Sequence, residues 1–126
     1  METKKILVID DHDDHRNAVQ YLLKKENIDV LTARNGKTGL KLLKQHKDTQ
    51  VIIVDIKMPD MSGIEVLKKI KDHPHPLRRI VLTAYDGKLP VEEAEELKVF
   101  AFLNKPVEKH SLLFTVKSAF NGLKKD

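Results

Sequence analysis

The chain has 126 residues, 40% of them hydrophobic and 33% charged, with a formal net charge of +4. That length fits one domain, and the balance is that of a globular chain able to bury a core, not a disordered one. The absence of cysteine excludes disulfides, thiolate metal sites and cysteine nucleophiles, and apolar runs such as Val51–Val54 are far too short to span a membrane.

The first apolar run, Lys5–Ile9, is rich in branched residues and reads as a strand. Residues 14–26 follow with Ala18, Val19, Leu22 and Leu23 at helical spacing. Ile28–Leu31 is a second strand, and Asn35 is placed to cap a helix carrying Leu40, Leu42 and Leu43. Val51–Val54 is a continuous apolar strand that ends at Asp55, and Ile64, Leu67 and Ile70 stripe a third helix. The His73-Pro-His-Pro76 loop separates that helix from a fourth strand, Ile80–Leu82. Val91, Ala94 and Leu97 make a short helix with Pro90 in its first turn. Phe100–Leu103 is a fifth strand. Pro106 opens a last helix striped by Leu112, Leu113, Val116, Ala119 and Phe120, with Gly122 as a left-handed cap and Leu123 packing back.

Five βα units in succession, with strands apolar on both faces, predict a doubly wound α/β fold. It is a five-stranded parallel sheet with right-handed crossovers and helices on both faces. Residues 1–126 read as one domain with no output domain attached. The start, Met1-Glu-Thr-Lys-Lys, leads into only four apolar residues before Asp10, unlike a secretory signal. A cytoplasmic location with no membrane partner is expected. Lys37, Lys41 and Lys44, like Lys68 and Lys71, fall at helical spacing and read as solvated helix faces. With two tyrosines and four phenylalanines for stacking, direct nucleic-acid binding is not expected.

In such sheets, sites lie beyond the carboxyl ends of the strands. Asp10 and Asp11 follow the first strand, Asp55 the third, Thr83 the fourth and Lys105 the fifth. An acid pair, a lone acid, a hydroxyl and a lysine therefore converge on one rim. Crowded carboxylates repel unless a cation intervenes, and a hard divalent cation prefers oxygen ligands. Such an ion admits an anionic phosphoryl group. A carboxylate can then attack phosphorus and become an acyl phosphate. Lys105 can pair with the carboxylate or a phosphate oxygen, and Thr83 can donate to one.

The segments Ile9-Asp-Asp11, Val54-Asp-Ile-Lys-Met-Pro59 with Gly63, Leu82-Thr-Ala84 and Asn104-Lys-Pro106 together resemble the receiver domain of two-component response regulators, from Lys5 to about Leu123. The resemblance implies a flavodoxin-like (βα)5 fold. It implies Asp55 as phosphoacceptor, and Asp10 and Asp11 as the acid pair holding Mg2+ (or Mn2+), Asp11 directly and Asp10 through water. It further implies the backbone carbonyl of Lys57 as a metal ligand and Lys105 as the phosphate-pairing lysine. Pro106 matches a proline whose preceding peptide is often cis. Thr83 and Phe102 match the switch pair. The phosphoryl donor would be a sensor histidine kinase or a histidine phosphotransfer protein. A downstream protein target would read the surface of helix four, strand five and helix five. The chain would be a signalling phosphoacceptor with limited autophosphorylation and autodephosphorylation, not a turnover enzyme.

Two departures stand out. The family often has Gly-Ala before strand five where this chain has Lys98-Val99, so a non-glycine residue is expected in a left-handed or irregular conformation. Lys57 and Tyr85 flank the phosphate position, which predicts restricted access for water and slow self-dephosphorylation. Glu92, Glu93, Glu95 and Glu96 would line helix four, an acidic strip that fits a basic partner and equally an ordinary solvated face. Asp13 and Asp14 suit the first turn of helix one, while His12 and His15 read as surface histidines facing a partner. Three rival readings remain. Asp11-His-Asp13 superficially resembles the start of a haloacid-dehalogenase-like phosphohydrolase, metal-dependent with an aspartyl nucleophile. A flavin-binding module would need a first loop that attracts phosphate, whereas Asp10–Asp14 repel it. The third is a non-phosphorylated protein-binding scaffold.

Overall fold

The computed structural model describes residues 3–84 and 89–123. Strands and helices alternate without exception: β1 Lys5–Ile9, α1 Asp13–Lys24, β2 Asp29–Ala33, α2 Gly36–Gln45, β3 Val51–Asp55, α3 Gly63–Lys69, β4 Arg78–Ala84, α4 Val91–Glu96, β5 Val99–Lys105 and α5 Lys109–Leu123. The strands form one sheet in the order β2-β1-β3-β4-β5, every neighbouring pair parallel. The doubly wound (βα)5 fold expected from the sequence is what the chain adopts.

The sheet divides the core in two. On one face Ile6, Val8, Ile53, Ile80 and Leu82 pack against Val19 and Leu23 of α1 and Leu112, Val116 and Phe120 of α5. On the other, Leu7, Ile9, Ile52, Val54 and Val81 pack against Leu43 of α2, Val66 and Leu67 of α3, and Leu97 just after α4. Alternate residues of each central strand therefore feed opposite layers, which is why β1 and β3 read as unbroken apolar runs. Each large side chain so buried contributes roughly 1.5–3 kcal/mol. α4 is the exception, since none of its six residues is buried.

Local signals set most of the helix ends. Asn35 caps α2 through its side chain, which accepts from Thr38 N–H at 2.8 Å. Ser62 and Glu65 form a reciprocal capping box at the start of α3. The carboxyl end of α3 is closed by buried Arg79, whose guanidinium donates to the carbonyls of Ile70 at 2.7 Å and Leu77 at 2.8 Å.

Several boundaries differ from the sequence reading. β2 runs two residues past Leu31, because Thr32 and Ala33 have ladder partners in Val8 and Ile9. Pro90 is the N-cap of α4 and lies just outside its first turn. Pro106 does not open α5; the helix starts at Lys109, where Glu108 accepts from Ser111 N–H at 3.0 Å and so supplies the cap. Gly122 is not a left-handed cap but lies within α5.

Lys98 does adopt the left-handed conformation, at φ 62°. It turns the chain from α4 into β5, beside a register shift between Arg79 and Ile80 in the β4–β5 ladder. That region disfavours a side chain with a Cβ, so Lys98→Gly is expected to stabilise the fold by roughly 0.5–1 kcal/mol. The measurement is a denaturant midpoint that rises with an unchanged slope.

Candidate functional site at the carboxyl ends of β1 and β3

The strand order reverses at β1, with β2 to one side and β3 to the other, so a crevice opens above the carboxyl ends of β1 and β3. Asp10 is the first residue after β1 and is fully buried. Its backbone N–H donates to Ala33 O at 3.1 Å, which fixes where the side chain emerges. Asp55 is the last residue of β3 and is 3% exposed. Lys105 ends β5 and reaches across the crevice. Its ammonium donates to Asp55 Oδ2 at 2.6 Å and to Asp10 Oδ1 at 2.9 Å. Asp10, Asp55 and Lys105 therefore meet at the strand ends, with Asp11 beside the two acids and the Lys105–Pro106 peptide cis.

Each carboxylate has a different environment. Burial opposes the charge of Asp10, but hydrogen bonds from His15, the His12 N–H and Lys105, with the charge of Lys105, outweigh it and hold its pKa well below the carboxylate range. Burial is also the largest influence on Asp55, and the nearby charge of Asp10 adds to it. The hydrogen bond and charge of Lys105 and the Lys57 N–H at 3.2 Å offset only part, so its pKa is raised. Burial works against the Lys105 ammonium too, but its hydrogen bonds to Asp55 and Asp10 and their charges prevail and raise its pKa. Asp11 is half-buried, and its Oδ1 is shielded from solvent with no hydrogen-bond partner. An orphaned anionic oxygen beside two buried carboxylates is the donor set a hard divalent cation satisfies.

Thr83 is buried near the end of β4, its hydroxyl donating to Ala84 O at 3.0 Å. Phe102, on β5, is half-buried against the α2–α3–α4 layer. The Lys57 side chain is exposed. Tyr85 lies outside the described residues.

His15 corrects the sequence reading, for it turns inward, while His12 keeps its exposed surface position but also touches the site. α1 begins at Asp13, two residues past the acid pair with His12 as its N-cap, so its first turn lies beside the crevice. His15 is mostly buried; its Nδ1–H donates to Asp10 Oδ2 at 2.5 Å, and its Nε2 accepts from Val107 N–H at 3.4 Å. His12 Nδ1 lies 2.8 Å from Lys105 Nζ. Arg16, which the sequence reading also passed over, donates to Asp10 O at 2.9 Å and Asp13 Oδ1 at 2.7 Å. The available signal was position: a fully buried acid needs donors, and the first turn of the next helix is the nearest source.

Residues 6–117 match the family described as the response regulator receiver domain. The chain belongs to that family. The receiver is 30% identical over 117 residues to the sporulation initiation phosphotransferase F of Bacillus subtilis, covering 93% of this chain and 94% of that protein. It is 33% identical to a cyclic di-GMP phosphodiesterase of Thermotoga maritima, over 93% of this chain but only 31% of that one. Among solved structures, a receiver domain protein from Clostridium thermocellum superposes with a TM-score of 0.86 at 33% identity, covering 96% of this chain and 97% of the other. The receiver assignment does not favour the hydrolase reading. Among the described residues of the receiver, no helix is long and apolar enough to cross a membrane.

Gly63 fixes how closely α3 approaches the receiver's central acid. Its N–H donates to Ile56 O at 2.8 Å, and a Cβ there would lie 2.3 Å from Asp55 O and 2.8 Å from Ile56 Cα. These are backbone atoms and cannot turn aside. Gly63→Ala is expected to cost about 2 kcal/mol in chemical denaturation and to weaken divalent-cation binding by displacing Asp55.

Proposed function

We propose that Asp55 accepts a phosphoryl group from a phosphohistidine, and that the receiver thereby switches the surface formed by α4, β5 and α5. A carboxylate oxygen of Asp55 forms the new O–P bond. The P–N bond of the donor breaks, and its electron pair leaves with the imidazole nitrogen. The observation that carries this reading is the single ammonium of Lys105 shared by Asp55 and Asp10 at the end of the middle strand. It favours the charged form of Asp55 against burial, and it can follow the charge onto a phosphoryl oxygen.

Asp10, Asp11 and Asp55, with the backbone carbonyl of Lys57, would hold Mg2+. When bound, the ion neutralises charge on the transferring oxygens. The product adds roughly −1.5 to −2 charge at Asp55. Thr83 then has reason to exchange its bond to Ala84 O for one to a phosphoryl oxygen, and Phe102, on the neighbouring strand, reads the vacated space. Phosphorylation in this scheme shifts a two-state equilibrium. The donor is a sensor histidine kinase or a histidine phosphotransfer protein, in keeping with the family.

The test is labelling with radioactive acetyl phosphate in Mg2+. One acid-stable, alkali-labile phosphate per chain is expected, dependent on Mg2+ and absent when Asp55 is replaced. Label that survives Asp55→Asn would overturn the assignment.

A further inference from the structure

The first turn of α1 presents an imidazole to the acidic cluster. His12 Nδ1 and one carboxylate oxygen each from Asp10, Asp11 and Asp55 all lie within 4.8 Å of one another. Individually, Nδ1 is 3.5 Å from Asp10 Oδ1, 3.5 Å from Asp11 Oδ1 and 3.9 Å from Asp55 Oδ2. Its nearest polar neighbour is Lys105 Nζ at 2.8 Å. An ammonium can only donate, so at this contact Nδ1 is the acceptor and turns its lone pair toward the cluster. The ammonium thus sits among two carboxylates and one imidazole nitrogen, a cation in a mixed oxygen and nitrogen cage. Asp11 Oδ1, buried and unpartnered, is a separate sign that the cage has room for a further positive ligand.

Two further features make His12 available. It occupies the N-cap of α1, yet its side chain makes no capping hydrogen bond, so no helix contact is lost when the ring turns. Its side chain is 66% exposed, so no packing is lost either. Carboxylates alone suit Mg2+. An imidazole nitrogen favours the later divalent transition metals, in the order Mn2+, Co2+, Ni2+.

We propose that His12 is a further side-chain donor to the divalent-cation centre, its Nδ1 joining the acidic cluster and tilting the receiver toward Mn2+, Co2+ and Ni2+ over Mg2+. This rests on the reading of the acidic cluster as the metal centre. On metal entry, Lys105 keeps Asp55 while His12 exchanges the ammonium for the ion. The receiver would then answer to the transition metals present, as well as to its phosphodonor.

The test uses the full, tag-free chain loaded with Mn2+ and examined by electron spin echo envelope modulation. Modulation from a coordinated imidazole nitrogen is expected in the wild type. It should vanish in His12→Gln and persist in His15→Gln. In parallel, the ratio of Ni2+ to Mg2+ affinity should fall at least about tenfold in His12→Gln, the scale seen when groups around a metal are removed. If Mn2+ binds, and Asp11→Asn abolishes binding, but no imidazole modulation appears, the metal centre stands and His12 is not a ligand. Modulation lost in His15→Gln and kept in His12→Gln overturns the proposal equally. No Mn2+ binding at all overturns both the proposal and the metal centre.

Discussion

Asp55→Asn is expected to abolish phosphorylation and, at the same time, to make the receiver harder to unfold. The loss of labelling follows from chemistry, since an amide nitrogen and a carbonyl oxygen do not replace the carboxylate nucleophile. The gain in stability follows from sign. Burial and Asp10 raise the folded-state pKa of Asp55 above its ordinary value, despite Lys105. An acid raised on folding binds its proton more tightly in the native state. It therefore destabilises that state above the raised pKa, and the penalty is relieved as pH falls through it. An uncharged isostere removes the penalty at every pH. A rise in Tm of roughly 3 °C or more is expected in metal-free buffer at neutral pH, shrinking as the pH is lowered toward the carboxylate range. Divalent cation should narrow the difference by stabilising the wild type more than the variant. A Tm that falls on substitution would mean that the pairing with Lys105 outweighs the desolvation.

Lys105→Met should have the opposite effect, and a large one. The ammonium separates two carboxylates whose side chains are 0% and 4% exposed. Removing one member of a buried ionic network leaves the others unpaired, at a cost of about 3–5 kcal/mol. Methionine keeps most of the stem's volume, so the loss reports charge more than packing. Asp55 loses the hydrogen bond that most opposes its burial, and the same change reaches Asp10. The depressed pKa of Asp10 contributes stability that is present above the unfolded carboxylate value and is lost as pH falls through the folded one. The variant's deficit should therefore be full at neutral pH and diminish in acid. It should also shrink on adding a divalent cation, which can replace the missing positive charge. The comparison is Lys117→Met, which breaks an exposed pair with Glu26 at 3.2 Å and should cost little at any pH or metal concentration. Urea denaturation of both variants with and without Mg2+ checks the contrast.

The strands were legible because a sheet covered on both faces demands continuous apolar runs, and Ile6–Ile9 and Val51–Val54 are such runs. The site was legible for a related reason. Ionisable residues directly after those runs, as at Asp10 and Asp55, have no other reason to sit at a buried strand end. What sequence could not reveal depends on three-dimensional need. β2 is prolonged by its partners in β1, not by its own apolarity. His15 is drawn inward by an acid five residues earlier, a demand that no periodicity records. Gly122 looked like a stop signal, but a glycine ends a helix only where the chain must turn, and α5 runs on through it.

The absence of buried residues in α4 bears on how far a local event can travel. Helices anchored by several core side chains move only when the core rearranges. This one is held from outside its own span, chiefly by Leu97, and detaching it sacrifices little interior contact. Its opening free energy therefore belongs at the low end of the molecule's scale, far below that of global unfolding. In the proposed switch, a modest push from the strand ends would suffice to relocate it. The message of that switch would then be carried by the part of the scaffold that is easiest to displace, while the rest keeps its shape.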